Sequence, residues 1–232
     1  ISLGRLVIRN GSLSFDDRRS GRHEELSDVK VNLAWPSTQD AATGEGTFIY
    51  RGEPVEFNGS IAAPLQLLAG GASPARIALA STLLRASFVG TAGQLDGLQI
   101  EGETTVTTPS VRRVAEWMGA APGSSSILGA GSIAGTMNWI GPSIAFSAAK
   151  VELDGNAADG AFAVSIGERP GIQGTLALEK LDLTAYVEAL KAAAAAGDFA
   201  PEAPVFLPLA GLGDLDLRLS TDQVIIGSTL LG

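Results

Sequence analysis

Three times in this chain a run of alternating apolar and polar residues gives way to a short stretch with helical spacing. That change of period limits the folds open to it. In the fullest case Ile172, Leu176 and Leu178 alternate with Gln173, Thr175 and Glu179, the pattern of a half-buried strand. From Leu183 the apolar positions Leu183, Tyr186, Val187 and Leu190 follow the period of a helix, and Gly197 stands where such a helix would stop. The same change occurs from Ile100–Val106 to Pro109–Met118, and from Phe57–Ile61 to Pro64–Leu68. The intervals are irregular, so the repeat is degenerate. The expected fold is mostly β: an extended antiparallel sheet, curled or groove-like, of repeated β units with two or three short amphipathic helices.

Composition narrows what such a sheet can do. Apolar residues make up 45% of the chain and charged residues 18%, which argues against disorder, and 29 glycines favour tight turns. A net charge of −9 argues against nucleic acid as a partner and against polybasic attachment to anionic lipid headgroups. With no cysteine there is no disulfide, thiolate nucleophile or cysteine metal site. No apolar run reaches the roughly 18 residues of a membrane-spanning helix. The chain reads as a fragment of a longer protein, with membrane association expected only through other parts of its parent.

Along the chain, Asn10-Gly11 is expected to turn a hairpin whose return strand carries Leu13 and Phe15. Asp16 to Glu25 reads as a charged, solvated tip. A strand bearing Val29, Val31, Leu33 and Trp35 on one face runs to Pro36. Thr47–Tyr50 and Val55–Ile61 form a second hairpin, and strands follow over 77–84, 85–90 and 98–106. The stripe Val111, Val114, Trp117 and Met118 marks an amphipathic helix. A Gly- and Ser-rich linker at 121–131 is expected to separate an N-terminal β lobe (1–120, with the helix near 110–118) from a C-terminal one (132–232, with a helix near 183–196). In the second lobe strands are expected over 132–139, 143–153 and 161–166. A last hairpin is expected from Leu215–Ser220 and Gln223–Ile226.

Few residues could carry chemistry. Asp154 to Gly160 resembles the start of a calcium loop but has Ala158 where an oxygen ligand belongs and Ser165 where a bidentate glutamate belongs, so it reads as a turn. His23 lies in the charged tip without a second histidine, and no metal or catalytic role is expected for it. The pairs Asp16-Asp17 and Glu24-Glu25 are sequence neighbours, which point to opposite faces of a strand. No cofactor and no enzymatic activity are expected. What remains is apolar surface: Val29, Val31, Leu33, Trp35, Leu98, Ile100, Phe162, Val164, Ile166, Ile172 and Leu176, on the strands whose alternation is cleanest. Such faces either close on one another as a dry core or form a trough for the acyl chains of phospholipid.

Several segments carry a resemblance. Ile8-Arg9-Asn10-Gly11-Ser12-Leu13-Ser14-Phe15-Asp16-Asp17, followed by Leu26-Ser27-Asp28-Val29, resembles a segment of AsmA-like proteins. The helix Pro109 to Gly119, then Lys180 to Tyr186 and Leu215 to Ser220 with their Leu-Asp-Leu cores, are similar to later segments of that family, in the same order. The resemblance implies a non-enzymatic, periplasmic, β-rich part of a bacterial envelope protein anchored in the inner membrane. It implies relatedness to bridge-like lipid-transfer proteins built of β-groove modules, and a role in phospholipid transport between the membranes or in outer-membrane biogenesis. The alternative is a structural or protein-binding β module with a sealed core and no lipid.

Overall fold

Alternation over most of the chain produces strands, and glycine-containing turns join them. The computed structural model describes residues 4–17, 22–94, 97–119, 127–166, 170–195 and 214–231. Among these are thirteen strands and three helices, in the order β1 (Gly4–Asp17), β2 (Arg22–Trp35), β3 (Ala42–Tyr50), β4 (Glu53–Ile61), α1 (Pro64–Leu68), β5 (Ala72–Ala80), β6 (Arg85–Gly93), β7 (Gln99–Thr108), α2 (Val111–Trp117), β8 (Gly131–Ile140), β9 (Ser143–Leu153), β10 (Asn156–Ser165), β11 (Gly171–Asp182), α3 (Thr184–Ala195), β12 (Asp214–Ile226) and β13 (Thr229–Leu231). The chain divides into two units, Ile1–Val106 and Thr107–Gly232. The division falls before the expected linker, of which 121–126 lie outside the described residues. Helix α2 belongs with the second unit because the backbone N–H groups of Val111 and Arg112 donate to Gly129 O (2.7 Å) and Leu128 O (3.0 Å).

In the first unit the strands lie side by side in chain order as an open sheet, β1 to β6 antiparallel. Arg51-Gly52, both at positive φ, make the two-residue turn between β3 and β4. Asn10 also has positive φ (56°), but it does not turn a hairpin. Together with Gly11 it forms a bulge inside the continuous strand β1, where the pairing with β2 shifts. A bulge and a hairpin turn draw on the same left-handed residues, so the dipeptide alone did not separate them. Of the expected charged tip, Asp16-Asp17 and Arg22–Glu25 belong to β1 and β2, and 18–21 lie outside the described residues.

In the second unit β8 to β11 are antiparallel, β11 and β12 are parallel, and β12 turns back into β13. The parallel pair needs a crossover, and α3 supplies its first half. The expected hairpin at 221–222 is absent: β12 runs unbroken while paired with β11 from Asp214 to Ile225, and the turn comes at Gly227. Gly197 and the connection around 199–208 lie outside the described residues. Asp154-Gly155, both at positive φ, turn β9 into β10. The Asp154 carboxylate accepts from Gly129 N (2.7 Å), Leu128 N (3.2 Å) and the Tyr186 hydroxyl (2.6 Å), tying that turn to α3. Partial burial, then this carboxylate, pushes the phenol well above its ordinary pKa. At the start of α3 the Asp182 carboxyl is held below its ordinary pKa by hydrogen bonds from Thr184.

Candidate functional site

Register places every second residue of the first unit in apolar rows across the sheet. One row is Leu6, Leu33, Gly44, Gly59, Ile77 and Phe88, and the next is Ile8, Val31, Gly46, Phe57, Leu79 and Ala86. The rows between them are polar, as in Ala34, Thr43, Ser60 and Arg76, or Asn32, Glu45, Asn58 and Ala78. The polar face is laced by Arg5 Nε donating to Asn32 Oδ1 (2.8 Å) and Asn32 Nδ2 to Glu45 Oε1 (3.1 Å). The sheet is thus hydrocarbon on one side and hydrogen-bonded on the other.

The apolar side is hollow. Leu6 of β1 and Ile100 of β7 line the same cavity of about 430 Å³, with Leu33, Trp35, Phe57, Ile61, Ile77 and Phe88 among its walls. That volume lies within the range of small-molecule sites. The polar residues bordering it, Thr43, Ser60 and Arg76, alternate onto the opposite face. Leu6 (41% exposed), Leu33 (39%) and Ile77 (45%) line the cavity and still meet solvent. It is an open trough.

Glycines make the hollow. A Cβ at Gly90 would stand 2.6 Å from Gly102 Cα and 2.8 Å from the tip of the Phe88 ring. At Gly44 a Cβ would meet a Leu33 methyl at 2.8 Å. Gly44 and Gly59 thus leave the floor of the hollow without side chains, and the larger apolar residues stand around it as walls.

Of the residues expected on lipid-facing strands, Leu33, Trp35 and Ile100 line the trough. Val29 and Val31 share the face of β2 but lie outside the cavity. Leu98 precedes β7, exposed and off the cavity. In the second unit Val164 and Ile172 fall in the row Trp139, Ile144, Val164, Ile172 and Leu215. Phe162 falls in the row Met137, Phe146, Phe162, Gly174 and Leu217, and Leu176 pairs with Gly160 and Leu219. Phe146 and Phe162 stack with ring centroids 5.1 Å apart. Ile166 follows β10, exposed. Sequence reading missed Leu6, Phe57, Ile61, Ile77 and Phe88. The alternation of Phe57, Gly59 and Ile61 was a usable signal, had glycine been counted as a floor position.

His23 is exposed and faces Asp16 across β1 and β2, its Nδ1 2.6 Å from Asp16 Oδ1. That hydrogen bond, then the Asp16 charge, raises its pKa. No cluster of three or more His, Asp or Glu positioned to hold a metal occurs among the described residues. No helix among them is long and apolar enough to cross a membrane. The chain matches no protein-family model, no curated protein and no solved structure.

Proposed function

We propose that this chain is a non-enzymatic lipid-binding segment whose trough takes the hydrocarbon chains of phospholipid. Its setting is the periplasm, in a larger AsmA-like protein moving lipid between the inner and outer membranes or assembling the outer one. One observation carries the reading. The apolar face of the first unit is continuous from Leu6 to Ile100, concave and solvent-exposed, and its opposite face is polar. An exposed apolar concavity of this size costs free energy in water and loses that cost when hydrocarbon fills it. The setting rests on the resemblance of the four sequence segments alone.

Organic extraction of the purified chain followed by mass spectrometry is expected to release phospholipid in near-stoichiometric amount. Two aspartate substitutions separate a trough from a sealed core. In Ile77→Asp the carboxylate reaches water, so the fold is expected to survive while bound lipid is lost. In Val55→Asp, at a side chain only 5% exposed, an unpaired buried carboxylate should cost several kcal/mol and prevent folding. Unfolding of both variants, or no lipid in the parent chain, would leave the structural β module as the better reading.

A further inference from the structure

Among the described residues β1 stands at one end of the strand order, so one of its edges pairs with β2 and the other is bare. The strand is long, Gly4–Asp17, and contains neither proline nor lysine, which commonly blunt such edges. Leu6, Val7, Ile8, Leu13 and Phe15 along it are all exposed. A row of unpaired backbone groups flanked by apolar side chains is a template for another strand.

The bulge in β1 decides which strand fits. Strand β3 pairs with β4 without a shift, so its Gly46 and Tyr50 share a face. Pairing carries that face to Val31 and Leu26 on β2, and from them to Ile8 and Leu13 on β1. Ile8 and Leu13 therefore share a face although an odd number of positions separates them, because one residue between them is extra. Leu6, Ile8, Leu13 and Phe15 thus lie on the apolar face, and Arg5, Val7, Ser14 and Asp16 on the other. Directly opposite residues of an antiparallel pair must share a face. Full overlap of β1 with a second β1 meets that condition on both sides of the bulge. It sets Leu6 against Phe15 and Ile8 against Leu13 on the apolar face, and Arg5 against Asp16 and Val7 against Ser14 on the other, each twice by symmetry. Both strands carry their extra residue over the same stretch, so the ladders match beyond it. A strand without a bulge there would fall out of register halfway along. Arg5 and Asp16 are exposed, each steadied by a hydrogen bond to β2, Arg5 Nε to Asn32 Oδ1 and His23 Nδ1 with Asp16 Oδ1.

We propose that the bare edge of β1 is a docking surface for a second copy of this chain. The two β1 strands pair antiparallel about a two-fold axis between Asn10 and Gly11. The two sheets then run on as one, and the apolar face that lines the trough at Leu6 meets Phe15 of the second copy. The pairing goes beyond the lipid reading and does not depend on it.

The chain has no cysteine, so introduced cysteines report the register directly. Val7→Cys and Ser14→Cys in one chain should give a disulfide-linked dimer on mild oxidation, because directly opposite Cβ atoms stand about 5 Å apart. Two copies of either position alone lie roughly 20 Å apart across the axis, so each single variant should stay unlinked, while an equimolar mixture of them forms the linked heterodimer. Sedimentation velocity of the full chain is expected to show a dimer that grows with concentration. Arg5→Asp or Asp16→Arg sets like charges opposite each other twice and should weaken dimerisation roughly tenfold, and both swaps in one chain should restore it. Circular dichroism checks that each variant is folded. A chain monomeric at every concentration, no cross-link from the double cysteine variant, or equal cross-linking by Val7→Cys alone overturns the proposal. A dimer that both single charge swaps leave unchanged overturns the part given to Arg5 and Asp16.

Discussion

Glycine at position 90 shows how one residue decides how closely two strands approach. Its missing Cβ leaves room for the tip of the Phe88 ring and for the close approach of β7, where a side chain would also meet the Glu101 carbonyl oxygen. Backbone cannot swing aside as a flexible side chain can, so Gly90→Ala is expected to destabilise the protein by roughly 1–3 kcal/mol, the cost of overpacking. Thermal unfolding measures it, and an unchanged midpoint would mean that β6 and β7 are less closely apposed. Glu53 matters in a different way. Its carboxylate is on a surface strand, yet it fixes a turn 29 positions away through Thr82.

Among elements, the turn from Ser81 to Leu84 does more than join β5 to β6. Ser81 Oγ accepts from the backbone N–H groups of Leu83 and Leu84, so Ser81→Ala removes both hydrogen bonds and is expected to cost about 1–2 kcal/mol. Denaturant unfolding measures the loss, and an unchanged midpoint would mean that the turn holds its form without the hydroxyl. Helix α2 is a more modest element than its sequence stripe implies. Its cap is sound, Ser110 Oγ accepting from Arg113 N at 3.3 Å, but none of its residues is fully buried and Met118 is exposed.

At the scale of the whole molecule, apolar faces and net charge oppose each other. Each unit leaves large apolar residues in water, Leu6, Leu33 and Ile77 in the first and Leu215 and Leu219 in the second. A net charge of −9 keeps such surfaces apart at neutral pH by mutual repulsion. Near the isoelectric point of about 4.6 that repulsion vanishes, so the lipid-free chain is expected to associate there, as light scattering would register. Lysolipid added beforehand should suppress the association by covering the apolar faces. Scattering that rises equally with and without lysolipid would mean that the faces are not what meets.

The amino-acid sequence alone determined the mostly β class, the positions of all three helices and the one-sided polarity of the strands. Each of these follows from periods of two and about three and a half residues, which are local. It did not determine that Asn10 bulges rather than turns, because both geometries need only a left-handed residue. Nor did it determine that β12 continues through Thr221, because its straightness comes from pairing with β11, which is distant in sequence. The trough was legible only in part: Leu33, Trp35 and Ile100 could be read as apolar face positions, but whether that face is covered depends on what lies above it. Tertiary structure decided this by curling the first unit until β1 and β7 face one hollow, with glycines where side chains would have filled it. The burial of Val55, Leu83 and Phe88 was decided by tertiary structure too, since alternation reports a side chain's direction but not its neighbours.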